Sequence, residues 1–523
     1  MSQKRSRAVA HLRRYWVAYA IWIGLLVLHS WSLLHYPVVT EDEGWYGSRA
    51  WVFFKTGYPF SSLDFGVLER MEGYWAFYEW IPTALQAMVI HLRPWPSVVV
   101  LKMFSLLIGF VLLFCIGQIG KRYFGYRAGL VAVLLTGLSG GFCFASHCAR
   151  QDVMTAALGY GALALMVYSQ RSPFVLNVLS GLCVGLAFEA HPYGALFGPG
   201  LLAAHVCQSG KGFFRDARVL GFLIGTGCGL FFFYLLHLWV YPQSYFQISK
   251  LLYGHTHLPP VLQGNLKAVY GELINSLVVM SKSFGALSVL FAFILYWLYK
   301  RGRSSDKILL SFLFAFWASY VLVVTNKKFF YVILWSPALN LLLSPLLAES
   351  LEESPLANRL LAWRWNNGWR AALWAIIGAQ LMLQMPRLAP NRYEKNYKPA
   401  LKELHKMIQP GDKIMANQAY WFGFPDHLYY SWEQLVYYRR YNPGSSLEEA
   451  MEYLHPDIFI EDAHVQAYIA DKPGQDLYAV YLNLPATELK NFLDRKAKLV
   501  GTIQDGEYGN IRVFRIDWDK QTS

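Results

Sequence analysis

The apolar residues of this chain come in long blocks, as in the runs from Ala18 to Leu34, Val219 to Tyr241 and Leu287 to Tyr299, with few or no charges inside them. A bilayer core about 30 Å thick takes about 20 such residues as a helix, so the pattern predicts a polytopic α-helical membrane protein. Eleven spans are predicted, at 15–36, 97–120, 128–148, 152–169, 174–190, 192–208, 219–241, 277–299, 306–324, 329–348 and 369–385. Two connecting loops are long, 37–96 and 242–276. Within the first, Trp75 to Leu92 is aromatic and apolar but short, and reads as a juxtamembrane helix on the bilayer surface. Beyond residue 385 the blocks stop, and short mixed segments take over. Pro399 to Ile408 and Ala486 to Arg495 read as helices, while Lys413 to Ala416, Asp457 to Ile460 and Ile511 to Ile516 read as strands. Ser446 with Glu449 forms a capping-box pattern ahead of Leu447, Ala450, Met451 and Leu454, apolar at helical spacing. The reading is a membrane domain over 1–385 and a small α/β domain over 386–523.

Only 15% of residues are charged, against about 25% in soluble domains, which excludes a disordered chain or an ordinary cytosolic enzyme. The net charge of +13 would ordinarily point to nucleic acid. The tail from Pro386, however, has 17 basic and 19 acidic residues, so the surplus belongs to the membrane part. There it divides by side. The N-terminus and alternate loops hold 19 basic and five acidic residues, and the opposite loops hold 11 and 10. By the positive-inside rule the N-terminus is cytoplasmic, ahead of a retained first span, and the tail is outside. No nucleic-acid partner is implied; membrane lipids are. The six cysteines all fall before the tail and none has CxxC spacing, so they read as small buried hydrophobes.

Candidate chemistry gathers on the outer side. Thr40-Glu41-Asp42-Glu43-Gly44-Trp45-Tyr46 puts three adjacent acids where the first span ends. Adjacent carboxylates can divide into a general base and a group that holds a partner or a cation. Asp152, in Ala149-Arg150-Gln151-Asp152, is the only acid between Glu79 and Glu189 and stands at the edge of a span, where an ionisable residue is a functional candidate. Glu189-Ala190-His191-Pro192 and Asn326-Lys327-Lys328-Phe329-Phe330-Tyr331 mark two further outer turns. His255 and His257 have HxH spacing but no third ligand, so a metal is not read there.

In order and on one side, these features resemble the GT-C glycosyltransferases, in particular the branch of the lipid-A aminoarabinose transferase and the protein O-mannosyltransferases. The resemblance rests on Asp42-Glu43-x-x-Tyr46 opening a long outer loop, the aromatic juxtamembrane helix, Arg150-x-Asp152, Lys327 to Tyr331, and the polar outer domain. It implies that Asp42 and Asp152 are the catalytic acids of two outer loops, with Glu43 and Tyr46 as neighbours. It implies transfer of a sugar from a polyprenyl-phosphate carrier to a lipid, glycan or protein acceptor outside a bacterial plasma membrane, with inversion. Arg150, Lys327, Lys328 and a protonated His191, with Tyr331 beside them, would meet the leaving phosphate. Glu41-Asp42-Glu43 could hold a divalent cation; no other cofactor is implied. Where relatives carry Lys-Pro before the juxtamembrane helix, this chain is read as having Met71-Glu72-Gly73-Tyr74. The alternatives are a transporter or flippase, which would ordinarily show repeat symmetry that the sequence lacks, and a catalytically silent lipid-binding subunit.

Overall fold

The computed structural model of the chain describes residues 2–64, 66–170, 172–253, 301–324, 329–350, 387–470 and 482–519, with scattered residues in 270–298 and 375–385. The long helices are α1 (Ser2–Ser32), α2 (Glu41–Thr56), α3 (Trp80–Ile90), α4 (Val98–Phe124), α5 (Tyr126–Gly137), α6 (Gly140–His147) and α7 (Asp152–Tyr168). They continue with α8 (Pro173–Ala190), α9 (Phe197–Ser209), α10 (Ala217–Phe233), α11 (Pro242–Tyr253), α12 (Ser304–Val323) and α13 (Ser336–Ser350).

Among the described residues five helices are long and apolar enough to cross a bilayer. They lie in α1, α4, α8, α10 with its π-helical continuation Tyr234–Trp239, and α12. The predicted span 128–148 is a broken one: α5 and α6 meet at 65°, because Leu138 and Ser139 end one helix and the Ser139 side chain caps the next through the Phe142 amide at 3.2 Å. Counted as one, the pair makes six. The predicted spans 152–169, 192–208 and 329–348 appear as the shorter α7, α9 and α13, and 277–299 and 369–385 fall almost wholly outside the described residues. On α4, Met103, Leu107, Val111 and Phe114 are exposed along one stripe, as lipid contact requires.

The tightest helix pair is α8 with α10. A Cβ on Gly185 would lie inside the backbone of Gly229, and one on Gly225 would lie on the Val178 carbonyl. Gly181 and Gly185 thus face Gly221, Gly225 and Gly229 at four-residue spacing, the small-residue seam by which apolar helices approach without a hydrophobic driving force.

The tail carries β1 (Ile414–Ala416), β2 (Tyr429–Ser431), β3 (Ile458–Glu461), β4 (Ala497–Asp505) and β5 (Gly509–Ile516) in one sheet of order β2-β1-β3-β5-β4. β1 is parallel to β2 and β3, and β5 is antiparallel to β3 and β4. Helices α14 (Lys398–Met407), α15 (Gln434–Tyr441), α16 (Leu447–Leu454), α17 (Ala463–Gln466) and α18 (Ala486–Lys496) accompany it. The Ser446–Glu449 capping box is present, with bonds of 2.8 and 3.1 Å.

One feature of packing positions everything below. Val39, Ala50, Leu63 and Leu101 share a buried core with Tyr397, Tyr420, Trp421 and Tyr508 of the tail. The 37–96 segment is therefore clamped between the helix bundle and the sheet.

Candidate active site

The site begins where α2 begins. Thr40 and Glu43 form a capping box: the Thr40 amide donates to Glu43 Oε2 at 2.9 Å. Glu43 is fully buried, and its Oε1 accepts the Ala149 amide at 2.9 Å and lies 3.5 Å from Lys102 Nζ. Lys102 in turn donates to the Pro37 carbonyl at 3.0 Å. Burial pushes the Glu43 carboxyl up; Lys102 and the Ala149 and Thr40 amides pull it back. Both oxygens are engaged, and the residue pins α2 to α4 and to the turn before α7.

Asp42 points the other way, its side chain 39% exposed, and pairs with Arg150 Nη1. The same guanidinium donates from Nε to Asp152 Oδ2 at 2.7 Å. Arg150 is buried and Asp152 almost completely so. One cation thus joins the two acids, and Asp152 Oδ1 is a buried acceptor with no hydrogen-bond partner among the described residues. Leaving such an oxygen unmet costs about 1–3 kcal/mol, so the arrangement favours a donor arriving from outside.

Glu41 turns to the tail, 3.9 Å from His464 Nδ1. The three consecutive acids therefore face three different partners, and among the described residues no group of three or more His, Cys, Asp or Glu is placed to hold a metal ion.

His191 packs against Tyr331, ring centroids 5.2 Å apart, and against Tyr193 at 4.8 Å. Burial lowers its pKa to about 4; Asp152 opposes this and Arg150 adds to it. A value near 4 favours the neutral imidazole near pH 7. Its Nδ1 accepts the Tyr193 amide at 3.1 Å, which leaves the proton on Nε2. Tyr46 Oη accepts from Gln151 Nε2 at 2.5 Å. Lys327 and Lys328 lie outside the described residues.

Sequence reasoning missed the group behind Tyr46. Arg49 Nη1 sits 3.2 Å from Glu79 Oε2, with its guanidinium 3.7 Å from the Tyr78 ring centroid and 5.2 Å from that of Tyr46. Glu189 accepts from the Trp80 and Ile81 amides at 2.5 and 3.1 Å, fastening the start of α3 to the end of α8. The residues directly before the juxtamembrane helix are Phe77, Tyr78 and Glu79, with Pro82 in its first turn. Met71 to Tyr74 lie further back, leading into the 3-10 turn Tyr74–Phe77. The usable signal was Thr40-x-x-Glu43, whose capping-box spacing separates the structural acid from Asp42.

No protein-family model matches the chain, and no curated protein matches its sequence. Solved structures do match. The ArnT of Cupriavidus metallidurans bound to undecaprenyl phosphate is 13% identical with a TM-score of 0.60, covering 97% of this chain and 100% of that one. The Archaeoglobus fulgidus oligosaccharyltransferase in its apo form is 10% identical with a TM-score of 0.56, over 97% of this chain and 75% of that one. The archaeal AglB from the same organism, in complex with an inhibitory peptide and a dolichol-phosphate, is 12% identical with a TM-score of 0.51, over 96% and 74%. These are GT-C membrane glycosyltransferases, and at such identities the likeness is one of fold.

Proposed function

We propose that this protein is a membrane glycosyltransferase that moves a single hexosyl or pentosyl unit from a polyprenyl-phosphate carrier to a lipid, glycan or protein acceptor. The observation that carries the reading is the joining of Asp42 and Asp152 by one buried guanidinium, Arg150. Support also comes from the fold shared with proteins solved with undecaprenyl phosphate and with dolichol-phosphate. The chain has eleven spans, a membrane domain over 1–385 and an outer α/β domain over 386–523. It lies in a bacterial plasma membrane with its N-terminus cytoplasmic and its tail outside.

In the proposed step the carrier phosphate arrives from the bilayer and competes with Asp42 for Arg150. Lys327, Lys328 and the Nε2 proton of neutral His191 add donors to it, and Tyr331 shapes the wall beside His191. Charge developing on the leaving phosphate is met by groups already in position. Asp42, released from Arg150, takes the acceptor's hydroxyl proton. The acceptor oxygen bonds to the anomeric carbon while the carbon–oxygen bond to phosphate breaks, and polyprenyl phosphate leaves with the electron pair. A single displacement inverts that centre. Asp152 and Tyr46 orient the sugar and Arg150.

The test is release of polyprenyl phosphate from a labelled carrier sugar by the purified protein with an envelope extract as acceptor. Asp42→Asn should lower turnover by about 10²–10⁴-fold at unchanged expression. Unchanged turnover removes Asp42 as the base. Solute movement into proteoliposomes without sugar transfer would establish the transporter instead.

A further inference from the structure

A cavity of about 430 Å³ lies apart from the Asp42 site, walled by three separate parts of the chain. The first outer loop supplies Arg70 and Glu72, the approach to α11 and α11 itself supply Tyr241 and Gln247, and the tail supplies Tyr441 at the end of α15. The walls are tied together. Ser244 Oγ donates to the Glu72 carbonyl, Gly73, at φ 70°, lies flat on the Tyr241 ring where a Cβ would collide, and Arg440 Nη1 donates to the Leu251 carbonyl at 2.7 Å.

Two opposite charges border this space without being paired to each other. The Arg70 guanidinium rests 4.2 Å from the Tyr453 ring centroid, which fixes its plane and leaves its N–H groups for an oxyanion. Glu72 has no basic partner among the described residues. The surroundings fix the level of the cavity. Trp239 is 68% exposed and Phe246 63%, one just before and one just after the point where the chain leaves the apolar stretch Ala217–Trp239. Exposed aromatics at such a point mark the headgroup layer.

We propose that this cavity binds the headgroup of a zwitterionic aminophospholipid of the phosphoethanolamine type. Its phosphate lies on Arg70 and its ammonium on Glu72, with Gln247 and the Tyr441 phenol as neutral hydrogen-bonding partners. Charge complementarity selects that class. A purely anionic headgroup would face the Glu72 carboxylate, and a trimethylammonium group has no N–H to give it. Bound there, the lipid fastens the tail to the first outer loop at the bilayer rim.

The experiment uses the full-length protein in mixed micelles doped with phosphatidylethanolamine, phosphatidylcholine or phosphatidylglycerol of matched acyl chains, read by native mass spectrometry and thermal unfolding. Phosphatidylethanolamine should be retained about tenfold more strongly than either other lipid and should alone raise Tm. Arg70→Ala and Glu72→Gln should each weaken its retention about tenfold, a loss of the size of one charge-assisted hydrogen bond, with Tm in lipid-free detergent unchanged. Equal retention of the three lipids, preference for phosphatidylglycerol, or full retention in the doubly substituted protein would each overturn the proposal.

Discussion

At the scale of single residues, the site is organised by a cation that touches two acids. A guanidinium presents several N–H groups in a fixed fork, whereas an ammonium is a compact point charge. Arg150→Lys therefore keeps the charge beside Asp152 but cannot also reach Asp42. Polyprenyl phosphate release should fall by about 10²-fold or more, the scale of one lost charge-stabilising donor, while thermal unfolding moves little. A variant with near-native turnover would show that bridging is not needed. Deeper in the loop, burial pushes Asp64 up to about 7 against the pull of Arg49 and the Ser61 amide. Its ordinary value is 3.8, so between about 4 and 7 the folded protein holds a proton that the unfolded chain has released. Stability from this group is therefore full at low pH and is lost as the pH rises through 7. Asp64→Asn lacks that slope, and the Tm of the variant relative to wild type should climb between pH 5 and 7.5; parallel curves would remove Asp64 from the account. Asp42 stood out in the sequence as one of three adjacent acids at the end of a span, and Asp152 as the only acid between Glu79 and Glu189. The burial of Glu43 was not legible, because it depends on Lys102 and Ala149, 59 and 106 positions away.

At the scale of elements, the same division holds between what is local and what is not. The long apolar helices follow from composition alone, and α16 follows from Ser446 and Glu449. β4 was missed because it is an edge strand, half exposed, with mixed side chains and a bulge between Leu499 and Gly501, and β2 because three residues carry no period. The seam between α8 and α10 was readable as Gly181-x-x-x-Gly185 and Gly221-x-x-x-Gly225-x-x-x-Gly229, although hydropathy alone passes over it. Its glycines touch backbone to backbone, so there is no side chain to move aside. Gly185→Leu should separate the two helices and cost about 1–3 kcal/mol, read as a lower Tm in detergent. Gly227→Leu is the control on the same helix, since among the described residues nothing lies within 4 Å of its Cβ. Equal effects at both positions would mean that the seam does not hold the bundle.

At the scale of the whole molecule, the question is how the C-terminal sheet bears on the segment that carries Asp42. The tail's existence was legible from the shift in charge and in apolar spacing after residue 385. Its docking was not, because contacts such as Tyr508 Oη to the Val39 carbonyl, 2.8 Å across 469 positions, leave no periodic trace. That docking falls on the segment that carries Asp42. Tyr508 holds the residue before Thr40, Gln434 Nε2 donates to the Leu63 carbonyl at 2.8 Å, and Gly44 lies directly under the Gln418 carbonyl, with no room for a Cβ. Gly44 is helical, so alanine there gains helix propensity of about 1 kcal/mol, and α2 itself should not suffer. What Gly44→Ala must do is lift the Gln418–Gly423 turn off α2. A static tail would make that lift a matter of stability only. If the tail sets the position of Asp42 against Arg150, turnover should fall about tenfold or more, the effect of an ångström's misplacement being up to 10²-fold. Helical content should stay unchanged, and amide exchange should rise in both 41–47 and 418–423. Faster exchange with native turnover would show that the tail covers the site without aligning it.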